Sequence, residues 1–394
     1  MTATHAVTIP SPSRSRMAVA TAFFINGSVF AVWAPQIPSV QARLHLTPGG
    51  LGLTLLGAAL GAVAVMPPAG AVTARLGTRM VVTAAALLFC TFLPLVFLAP
   101  SAPVLFGALV IFGASAASMD VAMNTAGVAV EDAMGSPIMS SLHGLWSFGS
   151  LAGALAATAA AGLAVPTLPF LVGCALLLAA AILVARPALP AARSSGSPAF
   201  APITRPLLAL AIVCFCSFLA EGSVADWSAV YLRRTLGATA VLGAGGFAAF
   251  QFTMTSGRLL GDRVTKALGP VRLVRAGALV AAGGLSLALL VPIPVTALVG
   301  FAAMGIGLAN IVPIVFSAGG RTPGVAAGPG IAAVATAGYF GMLSGPPSIG
   351  FTADAVTLRG GLALVVVLCL IAAALAGAAR HAARSDPEDE TALS

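Results

Sequence analysis

Gly70-Ala-Val-Thr-Ala-Arg75-Leu-Gly77-Thr-Arg79 is a short basic turn set between two strongly apolar stretches, and its setting decides the fold. The flanking segments run about 20 residues, enough to cross a hydrocarbon core of about 30 Å at about 1.5 Å per residue. Marking every such segment gives twelve spans, near 17–39, 50–70, 80–98, 103–128, 138–163, 168–186, 206–231, 240–261, 272–291, 295–317, 331–351 and 361–380. Of the 19 Lys and Arg, all but four fall at the N-terminus, in every second gap or in the tail. They are Arg14, Arg16, Arg75, Arg79, Arg186, Arg193, Arg205, Arg258, Arg263, Lys266, Arg272, Arg275, Arg321, Arg380 and Arg384. Arg43, Arg233, Arg234 and Arg359 occupy the other gaps. Cytoplasmic loops carry the excess of Lys and Arg, so both termini are expected in the cytoplasm. An even number of crossings also puts them on one side.

Composition fixes the class. The chain is 59% hydrophobic and 8% charged, where a soluble domain carries about 25% charge. The expectation is an all-α, multi-pass protein of the cell (inner) membrane with the lipid bilayer as its solvent. The net charge of +8 resides in the loops, and no basic cluster is interleaved with aromatics, so no nucleic-acid partner is expected. Cys90, Cys174, Cys214, Cys216 and Cys369 fall inside spans without a C-x-x-C pair, which reads as packing, with no metal and no disulfide framework. Residues 1–16 resemble the start of a signal peptide, but the apolar run continues to about Val40 without a clear cleavage site, so it reads as an uncleaved first helix.

The polar, Pro/Ser-rich stretch 187–205 reads as a flexible cytoplasmic linker. It divides the chain into a tail (1–16), a six-span bundle (17–186), the linker, a second six-span bundle (206–380) and a second tail (381–394). The halves echo each other, since Gly257-Arg258-Leu-Leu-Gly261-Asp262-Arg263 follows the eighth span as Gly70 to Arg79 follows the second. Two repeats around a midplane site are the plan of a secondary transporter working by alternating access. Gly57-x-x-x-Gly61, Gly149-x-x-x-Gly153 and Gly341-x-x-x-Gly345 would let helices approach closely. Pro67-Pro68 and Pro346-Pro347 are expected to end or bend the second and eleventh spans, as a hinge or as plain local bending.

Three of the 11 acids lie within spans: Asp120 in the fourth, and Glu221 and Asp226 in the seventh. A charge at a helix centre costs at least about 2.5–3.5 kcal/mol on insertion scales, and burial favours the neutral carboxyl. Asp120 and Glu221 therefore read as proton carriers or, equally, as structural hydrogen-bonded acids; Asp226, beside Trp227, reads as a capping or gating group. No Lys or Arg is expected in the central part of any span, which favours neutral or cationic solutes over anions. Asn26, Asn124, His143, Trp146, Gln251, Asn310 and Tyr339 are the candidate substrate-binding groups. Asp120 and His143 should lie at comparable depth, where a neutral His can relay a proton or simply bond a backbone carbonyl. Trp33 and Trp146 can stack on a sugar face or anchor at an interface. The absence of a G-x-x-x-x-G-K-[ST] loop disfavours ATP-driven transport, and no H-E-x-x-H or G-x-S-x-G suggests a hydrolase.

Over nearly its whole length the chain resembles the major facilitator superfamily. Gly70 to Arg79 is similar to the family signature Gly-x-Leu-x-Asp-Arg-x-Gly-Arg-Lys, with Ala74 in place of the acid and Thr78 in place of the first following basic residue. The second copy keeps Asp262 and Arg263. The resemblance implies that Arg75, Gly77, Arg79, Arg258, Asp262 and Arg263 belong to the gating loops, with the gating charge carried mainly by the second. Asp120-Val-Ala-Met-Asn124 resembles the acid-x-Ala-x-Asn of fucose-permease-like sugar:proton symporters, whose acid binds the proton. Ser140-Ser-Leu-His143-Gly-Leu-Trp-Ser147-Phe-Gly149 is similar to their fifth-span pocket segment, with His143 where they have a sugar-binding Gln. Their first-span acid has no counterpart between Met17 and Val40. Glu221-Gly-Ser-Val-Ala-Asp226-Trp227 resembles a less characterised bacterial branch of such permeases.

The expected function is proton-coupled symport of a small neutral or weakly polar solute, sugars among the options, by a monomer that needs no cofactor and is not an enzyme. A proton-antiport exporter of drugs or metabolites is the alternative within the same fold. A non-transporting sensor is the alternative outside it.

Overall fold

Lipid offers a backbone no partner, so a chain of apolar spans must bond to itself, and every regular element among the described residues is helical. The computed structural model describes residues 11–33, 36–46, 48–192, 202, 204–238 and 240–382. The helices are α1 (Pro12–Trp33), α2 (Ile37–Arg43), α3 (Pro48–Leu76), α4 (Thr78–Leu98), α5 (Ala102–Met134), α6 (Met139–Gly162) and α7 (Thr167–Ala185). After the linker come α8 (Arg205–Val230), α9 (Ala240–Leu268), α10 (Pro270–Leu290), α11 (Pro294–Leu308), α12 (Ile311–Gly320), α13 (Ala327–Ala355) and α14 (Leu358–Ala374). A π-helical turn, Tyr231–Thr235, extends α8, and a 3-10 segment, Leu375–Ala382, extends α14. Among the described residues nine spans have the length and apolarity to cross a membrane, counting α11 and α12 as one. With α6, α9 and α13 these make the twelve transmembrane spans of an all-α membrane fold.

Four local expectations need correction. The first span does not run to residue 39: α1 stops at Trp33 and α2 is a separate short helix. The tenth is broken at Ala309-Asn310 between α11 and α12. Pro67 and Pro68 do not end the second span, since they lie inside α3, which continues to Leu76, and the eleventh likewise does not end at 346–347, where α13 runs on. Finally, Gly257 to Arg263 is not a turn. It is helical within α9, which continues five residues beyond Arg263, whereas α3 ends one residue after Arg75. The turns that do correspond are Gly77, between α3 and α4 with φ +90°, and Gly269, between α9 and α10 with φ +76°. Each joins the second and third spans of its half through one residue in a conformation that glycine adopts without penalty.

The chain forms two compact units. The first comprises Met1–Met134, Leu142–Ala201 and Ala326–Ala332; the second comprises Gly135–Ser141, Pro202–Val325 and Ala333–Ser394. In the first, α3 meets α5 at backbone contact: a Cβ on Gly61 would lie 1.9 Å from the Val110 carbonyl oxygen, and one on Gly113 1.9 Å from that of Ala58. Small residues supply close van der Waals packing where lipid gives helices no hydrophobic drive to associate. Phe30, Trp33, Phe89 and Phe112 form an aromatic cluster there, with Phe89 and Phe112 centroids 4.4 Å apart, so Trp33 is a packing residue. In the second unit α10 and α11 meet in the same way through Gly277, Gly284, Gly300 and Gly307. Leu176, Leu177 and Val184 of α7 are exposed, as side chains facing acyl chains would be. The expected linker residues 193–201 and 203, with Arg193, the first ten residues and the tail with Arg384, lie outside the described residues.

Candidate functional site

The first unit holds a continuous polar chain. Asn124 Nδ2 donates to the backbone carbonyl of Asp120 at 2.8 Å and to its Oδ1 at 3.0 Å. Asn124 Oδ1 lies 3.1 Å from Nε2 of His143 on α6. The carbonyl contact fixes the amide, because only its NH2 end can donate to a C=O. His143 Nε2 is then the donor toward Asn124. Asn124 is fully buried and Asp120 half-buried. Asp120 and His143 do belong to one cluster, but Asn124 stands between them. Phe23 of α1 closes the far side of the imidazole, edge-on with centroids 5.1 Å apart.

One helical turn along, Trp146 Nε1 donates to Asn26 Oδ1 at 2.9 Å, and Asn26 Nδ2 donates to the Ala116 carbonyl at 3.2 Å. Two of the expected site residues, with one backbone carbonyl, thus tie α1, α5 and α6 together. The seam between α1 and α6 is tight. A Cβ on Gly27 would sit 2.1 Å from the Trp146 carbonyl oxygen, and one on Gly149 2.2 Å from that of Phe24. Hydroxyls complete it: Ser28 Oγ donates to the Gly149 carbonyl at 3.0 Å and Ser150 Oγ to that of Gly27 at 3.2 Å.

The second unit carries a buried ion pair. Arg258 Nη2 lies 3.4 Å from Glu221 Oε2, and Arg258 Nε reaches the Ala309 carbonyl at 3.4 Å, where α11 breaks. Asn310, in the break, donates to the Gly257 carbonyl at 3.1 Å. Arg258 is buried inside α9, ten residues before its end, which corrects the expectation that no cation lies in the central part of a span. In the sequence the arginine counts with the cytoplasmic gap because it sits at the end of the apolar run near 261, whereas α9 continues to Leu268. Gln251 is exposed on α9, and no hydrogen bond joins it to the other candidates among the described residues. Tyr339 of α13 faces Phe218 of α8, centroids 5.7 Å apart. Asp226 is exposed near the end of α8.

The turn residues are placed separately in each unit. Arg75 is exposed, while Arg79 Nε donates to the Leu189 carbonyl at 2.8 Å. Thr78 bonds Pro190 and Ala192, so the α3–α4 turn grips the chain that follows α7. In the second unit the Asp262 carboxylate accepts from the backbone N–H of Ser141 at 3.1 and 3.2 Å, at the N-terminal turn of α6. Arg263 is exposed.

A signal for the second-unit cluster was present in the sequence. Asn26-Gly-Ser-Val29, four residues before Trp33, recurs as Glu221-Gly-Ser-Val224, three before Trp227. The repeat equates α1 with α8 and Asn26 with Glu221. The structure agrees in register, because a Cβ on Gly345 of α13 would lie nearest Leu219 of α8 as one on Gly149 of α6 would lie nearest Phe24, and Leu219 and Phe24 each stand two residues before the equated pair.

A family model described as the Major Facilitator Superfamily matches residues 19–328. An uncharacterized MFS-type transporter of Yersinia pestis is 38% identical, covering 91% of this chain and 94% of that protein. The membrane protein MosC of Rhizobium meliloti is 36% identical over 93% of this chain and 90% of its own length. Among solved structures, the human organic anion transporter MFSD10 superposes with a TM-score of 0.72 at 15% identity, covering 93% of this chain and 100% of the other. The transporter FucP in its outward conformation gives 0.72 at 14% identity, covering 92% and 97%. At such identities the structures speak for the fold alone.

Proposed function

Because the chain belongs to the major facilitator superfamily, a family of transporters that bind small-molecule substrates and sit in the membrane, we propose that it is a proton-coupled secondary transporter in which Asp120 carries the proton. The observation that carries this reading is the chain Asp120–Asn124–His143, an ionisable acid bonded to an amide whose other end meets an imidazole. A carboxylate in this setting keeps a solvating partner when charged. Protonated, it crosses an occluded state without an uncompensated charge. Solute and proton would then move together by alternating access, with both termini in the cytoplasm and one chain as the working unit. Asn26 and Trp146 bond to each other in the structure, and a bound hydroxyl would exchange with that bond. Polar neutral solutes such as sugars and polyols fit these donors and acceptors.

The test is transport into proteoliposomes with a panel of labelled sugars, polyols and amines under an imposed proton gradient. The Asp120→Asn variant should lose gradient-driven accumulation while counterflow of the same solute persists. Accumulation that survives the substitution would make Asp120 a structural acid and end the proposal.

A further inference from the structure

We infer that Arg233 and Arg234 form a phosphate-binding site for the headgroup of an anionic phospholipid, at the end of α8 where that span leaves the hydrocarbon layer. The inference stands apart from the transport reading above.

Four arginines lie outside the gaps where the basic residues of this chain collect. Arg43 Nη1 donates to the Ala99 carbonyl at 2.8 Å, and its Cζ stands 5.6 Å from the centre of the Phe97 ring. Arg359 is bonded to the Leu289 carbonyl. Arg233 and Arg234 are exposed, and among the described residues neither has a hydrogen bond or an ion pair. With Val230 and Ala238 they line an open cavity of about 410 Å³. Small-molecule sites run about 300–1,000 Å³. Two neighbouring guanidiniums on one cavity repel each other, and a phosphate answers both because its oxygens accept parallel N–H bonds from the planar fork.

The backbone holds the pair in place. The π-helical turn Tyr231–Thr235 is closed by the Leu236 N–H, which donates to the Tyr231 carbonyl at 3.1 Å. The chain then doubles back, and the Ala238 N–H reaches the Leu232 carbonyl at 2.9 Å. Turns of this wide geometry are frequent at functional sites. Tyr231 and Leu232 are fully buried, and Tyr231 Oη donates to the Ala288 carbonyl at 2.7 Å. A turn anchored in this way presents its guanidiniums without first ordering a loop, which lowers the cost of binding.

Depth and surroundings select a phospholipid over a free anion. The apolar stretch of α8 ends at Ser228, and Arg233 follows five residues later, at most about 7.5 Å on. The headgroup layer beyond the hydrocarbon core is about 5–7 Å thick on each face. Leu290, next to the residue that accepts from Arg359, is exposed, as are Val295 and Val356 in the neighbouring connections. A phospholipid uses the arginines and this apolar surface together, whereas a free anion uses only the arginines. The nearest acid along the chain, Asp226, is exposed about two turns earlier on α8. In the register that equates Asn26 with Glu221, the two arginines fall against Pro38 and Ser39. The pair therefore belongs to the second half alone, outside what the two halves share.

The experiment is native mass spectrometry of the purified full-length protein in detergent, which reads the phospholipid it retains. Phosphatidylglycerol is compared with phosphatidylcholine of the same acyl chains, and inorganic phosphate and glycerol 3-phosphate serve as soluble competitors. Wild type should retain phosphatidylglycerol about tenfold more tightly than phosphatidylcholine, and neither soluble anion should displace it. Arg233→Gln or Arg234→Gln should weaken retention about fivefold, the ratio that corresponds to about 1 kcal/mol for one arginine at an anionic lipid surface. The double variant should fall to the phosphatidylcholine level. Arg272→Gln/Arg275→Gln removes two exposed arginines elsewhere and should keep the wild-type preference. A preference kept by Arg233→Gln/Arg234→Gln, or lost equally from both double variants, would overturn the inference. So would displacement by free phosphate, which would make this a site for a soluble anion, and so would a wild type with no preference; these two readouts need no variant to fold.

Discussion

Asn124 grips Asp120 twice, by its backbone carbonyl and by its carboxylate, and in doing so turns its own carbonyl oxygen toward His143. Leucine at 124 keeps the branched outline of the side chain and loses every one of these bonds. A lost hydrogen bond that strands a buried polar group costs about 1–3 kcal/mol. Asn124→Leu should therefore unfold at lower temperature than wild type in the same detergent. An unchanged transition would mean that the polar chain contributes nothing to the folded state.

The glycine seam between α1 and α6 makes a paired prediction. A Cβ at Gly149 would lie 2.2 Å from a backbone oxygen, which cannot swing aside as a side chain could. Gly149→Ala should destabilise by about 1–3 kcal/mol, the usual range for overpacking. Gly173 lies inside α7 with nothing within 4 Å of its would-be Cβ. There the same substitution should stabilise by about 0.5–1 kcal/mol, because alanine has less freedom to lose in a helix. Thermal unfolding of the two variants side by side checks the opposite signs.

The turn at Gly77 and the chain after α7 should come apart together. Thr78 Oγ1 donates to the Pro190 carbonyl at 2.6 Å and accepts from the Ala192 N–H at 3.2 Å, while Arg79 holds Leu189. Thr78→Val keeps the shape and removes both side-chain bonds. Limited proteolysis should then cut within residues 186–192 at least severalfold faster than in wild type. Equal rates would show that the grip is incidental.

What could be read from sequence was whatever depends on solvent. Twelve apolar lengths and the distribution of Arg and Lys gave the class and the span number, because lipid imposes both locally. Helix ends inside the apolar runs were not legible. Trp33 ends α1 just before Ala34-Pro35-Gln36, and Leu308 ends α11 just before Ala309-Asn310; such single interruptions are hidden inside long apolar runs, and at the second the tertiary bond from Asn310 to Gly257 marks the break. Asp120, Asn124 and His143 were legible as polar residues at matching depth, but the order of their bonding was not. Arg258 was misplaced for a specific reason: a basic residue near the end of an apolar run looks like a loop residue, and α9 in fact extends ten residues past it. The recurrence of Gly-Ser-Val after Asn26 and Glu221 would have aligned the halves and directed attention to that cluster.

Asp262 separates charge from hydrogen bonding at a helix end. Its carboxylate receives the N–H of Ser141 in the first turn of α6, a helix with no acidic residue of its own in that turn. First-turn N–H groups have no partner within the helix, and the helix dipole adds a partial positive charge there. Asp262→Asn keeps an acceptor oxygen and loses only the charge, so it should cost about 0.3–1 kcal/mol at low ionic strength. Asp262→Ala loses both and should cost about 0.5–2 kcal/mol. Melting temperatures at low and high salt test the division, because salt screens the charge contribution and leaves the hydrogen bond. The wild-type advantage over Asp262→Asn should shrink in high salt, whereas much of that over Asp262→Ala should persist. An advantage over Asp262→Ala that vanished completely in high salt would mean that the carboxylate acts there by charge alone.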